Sequence, residues 1–341
     1  MELIYIKNTN GVYDNGLLHN YEIDFDITTD RENPTNDFEL KMALPDSVDD
    51  LLWVENETSS LIFIEGTEYG GEIMGSVIDI ADNTVTYTGR TWRGTFSEYI
   101  IEPPAGQDYL VVTGNLADII SDLPLYPLMQ VAPTTYSLST QYQFNRYITV
   151  FEGLEGLVSS YTDTSLRLTI SFEQTEGQYT GTATATLEPV RDLSDWIEVS
   201  QDYSDHVQLK ITKDGTTPRR LICLGRGELK DRQVVNLYAD EEWNVSTTPI
   251  QGAYPVEVYD YSSSDALEAD GRKKFAEYIA NHEQIDVNIS DLDVRLGDII
   301  SAKDNLTGET VQAEITNIVY KCTDYGDYQT ESYDYKTKVR I

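Results

Sequence analysis

Alternation of apolar and polar residues constrains this chain more than any other feature, because a period of two is the signature of a half-buried strand. In "YEIDFDITTD", beginning at Tyr21, Ile23, Phe25 and Ile27 fall on one face while Glu22, Asp24 and Asp26 fall on the other. "DFELKMAL" repeats the pattern with Phe38, Leu40 and Met42. The following "SLIFIEGTEYGGEIMGSVIDIADNTVTYTGRTW" holds three β-rich runs separated by Gly70-Gly71 and by Asp82-Asn83, both hairpin signals. Residues 1–104 are therefore expected to form a compact antiparallel barrel or sandwich. It should close at Pro103 and Pro104, which cannot continue a central strand.

The pattern then changes. "GNLADIISDLP" reads as a short helix that stops before Pro124. "TVFEGLEGLVSSY" opens with the capping box Thr149-x-x-Glu152 and aligns Phe151, Leu154, Leu157 and Val158 on one face. The strands "SLRLTISFE" and "YTGTATATLEP" follow, joined through Glu176-Gly177, so 105–195 reads as an α+β unit. From Trp196 strands return in "HVQLKIT", "RRLICLG" and "QVVNLYA". A further helix is expected in "SDALEADGRKKFAEYIANH", capped by Asp265, with Leu267, Gly271, Phe275 and Ile279 four apart on one stripe. "IDVNIS", "DIISAKD" and "ETVQAEITNIVY" come last, with a turn at Asn305-Leu306-Thr307-Gly308. The expected fold class is mainly β with an inserted α+β unit, in which two antiparallel β-barrel-like domains at 1–104 and 196–341 flank residues 105–195. Some strands of the last segment can return to complete the first barrel, and its helix can cover an exposed sheet edge.

At 341 residues the chain is long enough to bury a sizeable core. Its 59 acidic residues against 24 basic ones, net −35 and spread over the whole length, argue against binding a phosphate backbone by counterion release. Cys223 and Cys322 form no disulfide framework and have no metal-ligand spacing; Cys223, inside an apolar run, reads as a small core residue. "MELIYIKNTN" lacks the form of a secretory leader and no apolar run approaches the length of a membrane span, so a soluble protein made in a cytoplasm is expected. Tyrosines number 24 against 8 phenylalanines, which suits half-wet sheet faces and protein interfaces.

The stretches that imitate known sites fail on spacing. In "LICLGRGELKDRQVV" the glycines Gly225 and Gly227 begin like a dinucleotide fingerprint, but Lys230 stands where a third glycine is required and a strand follows instead of a helix. They are read as backbone-permissive residues at a hairpin. "HEQID" begins like a zinc motif, but Asp286 stands where the second histidine must be one helical turn on; His282 then simply faces a helix C-terminus. His206 beside Asp205 has no distinguished serine to serve, and His19 is the remaining histidine. Carboxylate pairs suited to glycoside hydrolysis are available everywhere and discriminate nothing. No catalytic, cofactor or metal residue is assigned, and no cofactor is expected.

Three stretches in succession resemble a known family. "VTYTGRTWRGTFSEYIIEPPAG" is similar to the segment that closes the first domain of siphophage tail proteins of the baseplate-hub type. "RDLSDWIEVSQDYSDHVQLKIT" followed by "LICLGRGELKDR", with Gly225, Gly227, Glu228 and Arg232, resembles the family's central block. "VRLGDIISAKDNLTGETVQAEIT", entered through Leu296-Gly297-Asp298, resembles its final hairpin. The chain departs from the family at Glu98 and Tyr99, where many members carry a basic residue.

The resemblance implies a structural virion protein: a homotrimeric ring of barrel domains at the distal end of a tail tube, open for DNA to pass without specific binding. Its implied partners are the tail tube or distal tail protein and the tail-tip or receptor-binding proteins, with assembly in a bacterial host cytoplasm and no membrane insertion. Related tail-tip proteins often continue into a hydrolase region, whereas this chain ends at "YKTKVRI", so a hub without the enzyme is implied. Gly225, Gly227, Pro103, Pro104 and Gly297 are then structural turn residues. A carbohydrate-active hydrolase or a host-surface glycan-binding module is the alternative.

Overall fold

The computed structural model describes all residues except 32–33, 162–163, 201–207, 262–265, 281, 289–293, 304–309 and 340–341. Asp205, His206, Asp265 and the expected turn Asn305–Gly308 lie outside the described residues. Two units form: Met1–Asp192 with Ile289–Asp298 and Ile315–Tyr335, and Leu193–Asn288 with Ile299–Glu314 and Lys336–Ile341.

The first half of the chain supplies β1 (Ile4–Thr9), β2 (Val12–Leu17), β3 (Tyr21–Thr28), β4 (Asp37–Ala43), β5 (Thr58–Phe63), β6 (Gly70–Asp79), β7 (Thr84–Thr91), β8 (Ile100–Ile101) and β9 (Val111–Asn115). Then come α1 (Leu116–Ser121), β10 (Met129–Val131), β11 (Ser137–Gln143), β12 (Ile148–Thr149), α2 (Val150–Ser159), β13 (Leu166–Gln174) and β14 (Gly181–Pro189). The second half supplies β15 (Glu198–Ser200), β16 (Gln208–Lys213), β17 (Arg220–Leu224), β18 (Val234–Ala239), β19 (Val245–Ser246) and β20 (Val256–Asp260). It ends with α3 (Leu267–Ala280), β21 (Glu283–Asn288), β22 (Ile299–Lys303), β23 (Thr310–Asp324) and β24 (Gln329–Val339). The protein is mainly β with several antiparallel sheets.

In the first unit the main sheet runs β24-β23-β3-β4-β7-β6-β5-β1-β2. From β23 to β2 every neighbouring pair is antiparallel. The alternation in β3 and β4 sends Ile23, Phe25, Phe38 and Leu40 into a core shared with Ile62, Tyr87 and Tyr320. Each such side chain contributes about 1.5–3 kcal/mol of burial. Among the described residues the pairing is an open path that ends at β2, so of the expected barrel or sandwich these pairings trace no closed barrel. Strand β2 ends the path with Val12, Tyr13 and Leu17 exposed.

Gly70-Gly71 does not make the expected turn. The chain reverses at 65–69, and both glycines open β6, where a Cβ on Gly71 would stand 1.8 Å from the Arg90 carbonyl oxygen. Close backbone approach, not reversal, is what requires glycine there. Asp82-Asn83 does form the β6–β7 turn, with Asn83 at φ +53°.

The helices α1 and α2 arise as their caps dictate. Asn115 Oδ1 accepts from the Ala117 N–H at 2.9 Å, and Thr149 Oγ1 accepts from the Glu152 N–H at 3.1 Å. Phe151, Leu154 and Leu157 of α2 pack in one core with Leu168 and Phe172 of β13 and with Phe63, Trp92 and Phe96. Trp92 stacks on Phe172 with ring centroids 4.3 Å apart. The α+β segment therefore shares its core with residues of the preceding segment.

In the second unit β16 pairs with β21, and β22 pairs with β15 and with the Thr310–Glu314 end of β23. A separate sheet has the order β19-β18-β17-β20. Here β17 and β20 are parallel, which departs from the antiparallel expectation for this segment because the chain crosses over before β20 instead of turning back. The stripe of α3 covers a face of this sheet, not an edge: Leu267, Phe275 and Ile279 pack on Leu221, Cys223 and Leu237. Gly271 permits that approach, since a Cβ would stand 2.4 Å from Cys223 Sγ.

Candidate interaction surface

The loop between β17 and β18 carries the two glycines that most resemble a phosphate cradle. Its base is tied by the Gly225 N–H to Gln233 O at 2.9 Å and by the Gln233 N–H to Arg226 O at 2.8 Å. The strands that flank it are antiparallel, so no α-helix with its N-terminal anion site follows the glycines. Gly227 has φ +98°, and a Cβ there would stand 2.5 Å from Asp231 O; a Cβ on Gly225 would stand 2.8 Å from Leu267 Cδ2. Arg232 donates from Nε to Gly225 O at 3.1 Å and pairs with Asp260.

At the tip of this loop Leu229 opens a 3-10 turn, Leu229–Asp231, at φ +49° and 94% exposed. A branched apolar residue in the left-handed region costs about 1–2 kcal/mol relative to glycine. Between 219 and 232 five basic residues (Arg219, Arg220, Arg226, Lys230, Arg232) face two acidic ones (Glu228, Asp231), the reverse of the balance of the chain.

In the first unit the outward face of the main sheet forms an open groove. Its apolar floor is Met74 and Val319 beside Gly89, and its rim is Asp24, Asp26, Asp37, Glu39 and Glu98 with Arg90. Register explains the charge: Val319, Asp26, Asp37 and Arg90 form one cross-strand row, and Lys321, Asp24, Glu39 and Thr88 form the next. Asp24 thus stands opposite Glu39 and Asp26 opposite Asp37, and like charges directly opposite are destabilising. Arg90 reaches Asp37 only at 3.9 Å and Glu98 at 4.0 Å. Desolvation raises the Asp24 carboxyl above the ordinary range; Lys321 opposes the rise, and Glu39, Asp334 and Glu22 add to it.

A few charges of the first unit are internal. Arg93 is fully buried and donates to Glu68 at 2.5 Å, to Glu155 at 3.2 Å and to Leu168 O at 2.6 Å. Desolvation pulls its pKa down, but the two carboxylates more than offset this and the guanidinium stays charged. Buried Asp298 pairs with Arg167 and Arg191. Gly297 beside it has φ +82°, donates to Ile315 O at 2.7 Å, and lies where a Cβ would stand 3.2 Å from Arg167 Cβ. Pro103 and Pro104 follow β8, and Pro104 O accepts from the Gln107 N–H at 2.9 Å.

His282 Nδ1 lies 2.9 Å from Asp214 O and its ring centroid 4.3 Å from that of Trp243, while Asp286 belongs to β21. His19 lies in the connection between β2 and β3. Cys223 and Cys322 are both free and buried. Among the described residues no group of three or more His, Cys, Asp or Glu side chains is arranged to hold a metal, and no helix is long and apolar enough to cross a membrane. Sequence reasoning missed Leu229 and Arg93; the signal for the first was a lone leucine inside a charged turn, and for the second there was none.

No protein-family model and no curated protein sequence matches this chain. Its fold, however, is similar to solved structures over nearly the whole length of both partners. The tail protein from Neisseria meningitidis MC58 is 13% identical, with TM-score 0.58, covering 99% of this chain and 97% of that one. The 43 kDa tail protein of prophage MuSo2 from Shewanella oneidensis is 13% identical, with TM-score 0.59 and coverage of 100% and 97%. Prophage tail protein gp18 from Listeria monocytogenes EGD-e is 10% identical, with TM-score 0.54 and coverage of 99% and 94%. The chain has the fold of phage tail proteins.

Proposed function

We propose that this chain is a structural component of a phage tail, a hub that forms a ring at the distal end of the tail tube. One observation carries the reading: the likeness to tail proteins runs through both units, so the whole chain is accounted for by that fold. A homotrimer in which each copy contributes its two units would offer six surfaces to a six-fold tube. Gly225, Gly227, Pro103, Pro104 and Gly297 serve the backbone in this reading, and the chain catalyses nothing. A net charge of −35 suits a conduit, because an acidic lining does not hold DNA as it passes. Neighbouring tail proteins are the partners, and the tail tip of the virion, assembled in the host cytoplasm, is the location.

The test is to label the chain and image particles made by cells that express it. Label confined to the distal end of the tail is expected. Particles without label, or label along the whole tube, would overturn the reading.

A further inference from the structure

The loop at 226–232 and the groove of the main sheet are complementary in two independent respects, and within one chain Leu229 is left 94% exposed. The loop presents an apolar tip between Arg226 and Lys230, both exposed. The groove presents an apolar floor, in which Met74 is 50% exposed and Val319 half-buried, inside a carboxylate rim. In a chain so acidic most surfaces repel a second copy, and the basic stretch 219–232 is where a copy can approach an acidic face without that penalty.

Resting on the reading of the chain as a ring-forming tail component, we propose that the 226–232 loop of one copy seats in the groove of a second copy. Leu229 covers Met74 and Val319, and Arg226 and Lys230 meet the rim formed by Asp24, Asp37 and Glu39. The exposed Lys230–Asp231 pair, 3.0 Å long, holds Lys230 only weakly and can exchange for a rim carboxylate. Cations delivered between Asp24 and Glu39 relieve the like-charge opposition that the isolated chain carries. The contact joins two different patches, so it is head-to-tail, the kind of interface that closes into a ring when its rotation permits.

Two variants of the full chain test this: a loop variant, Arg226→Glu with Leu229→Asp and Lys230→Glu, and a groove variant, Asp24→Lys with Glu39→Lys. Association is followed by sedimentation across a concentration series, with circular dichroism to verify that each variant is folded. The wild type is expected to self-associate, more weakly as salt screens the contact. Each variant alone should associate about tenfold or more weakly. An equimolar mixture should recover pairing, because the loop variant keeps an intact groove and the groove variant keeps an intact loop. A monomeric wild type, or variants that associate as the wild type does, overturns the docking proposal. The imaging of labelled particles decides the tail reading separately, so the two can fail independently.

Discussion

At the scale of single residues, the positions that matter most are those where the backbone or a charge has no alternative. Gly227→Val places a β-branched side chain at φ +98° and against Asp231 O, so about 1–3 kcal/mol of stability should be lost in chemical denaturation. An unchanged midpoint would show that the loop can rearrange. Arg93→Ala removes the buried guanidinium that Glu68 and Glu155 share, and breaking such a network costs about 3–5 kcal/mol. Thermal unfolding of the variant measures this, and a loss below about 1 kcal/mol would mean that water reaches the site. Asp24 behaves in the opposite sense. Its pKa is raised in the folded state, so folding takes up protons, and stability falls as pH rises from the unfolded carboxylate value through the folded one. Asp24→Asn should therefore stabilise the chain at neutral pH and flatten that part of the stability profile, with little difference at acid pH.

At the scale of elements, local chemistry and packing divide the work. The N-terminus of α2 is set by Thr149, whose hydroxyl oxygen satisfies the Glu152 N–H. Thr149→Ala should cost about 1 kcal/mol while leaving the overall fold, as judged by circular dichroism, unchanged. Helix α3 depends on packing instead: Gly271 brings the helix against Cys223, and the sheet beneath it includes the parallel pair of β17 with β20. The period of the α3 stripe was legible in the sequence, whereas the parallel pairing of β17 with β20 was not, because parallel register is set by a crossover and leaves no local turn signal.

At the scale of the molecule, the first unit is completed from far along the chain. The Ile315–Asp324 part of β23 pairs with β3 and sends Tyr320 and Cys322 into the core that Phe25 occupies. A fragment of residues 1–192 loses those partners and exposes the edge of β3. The lost burial, about 1.5–3 kcal/mol for each large side chain, is comparable with the whole net stability of a domain. The fragment should therefore unfold without a sharp transition and aggregate. A cooperative melt close to that of the full chain would show that β23 is dispensable.

By itself the sequence determined the β class, the faces of β3, β4 and α3, the helix α1, the cap of α2, and the failure of each catalytic motif, because these depend on neighbours within a few residues. It also held the acidic groove in outline, since Asp24, Asp26 and Glu39 are the polar half of the alternation. Only the tertiary structure decided that Gly70 and Gly71 serve close approach, that Arg93 and Asp298 are buried ions, and that β23 belongs beside β3. The tertiary structure also left Leu229 at an exposed tip. These features depend on which residues meet across the fold, and pairing between distant strands is fixed by packing the core as a whole rather than by any local pattern.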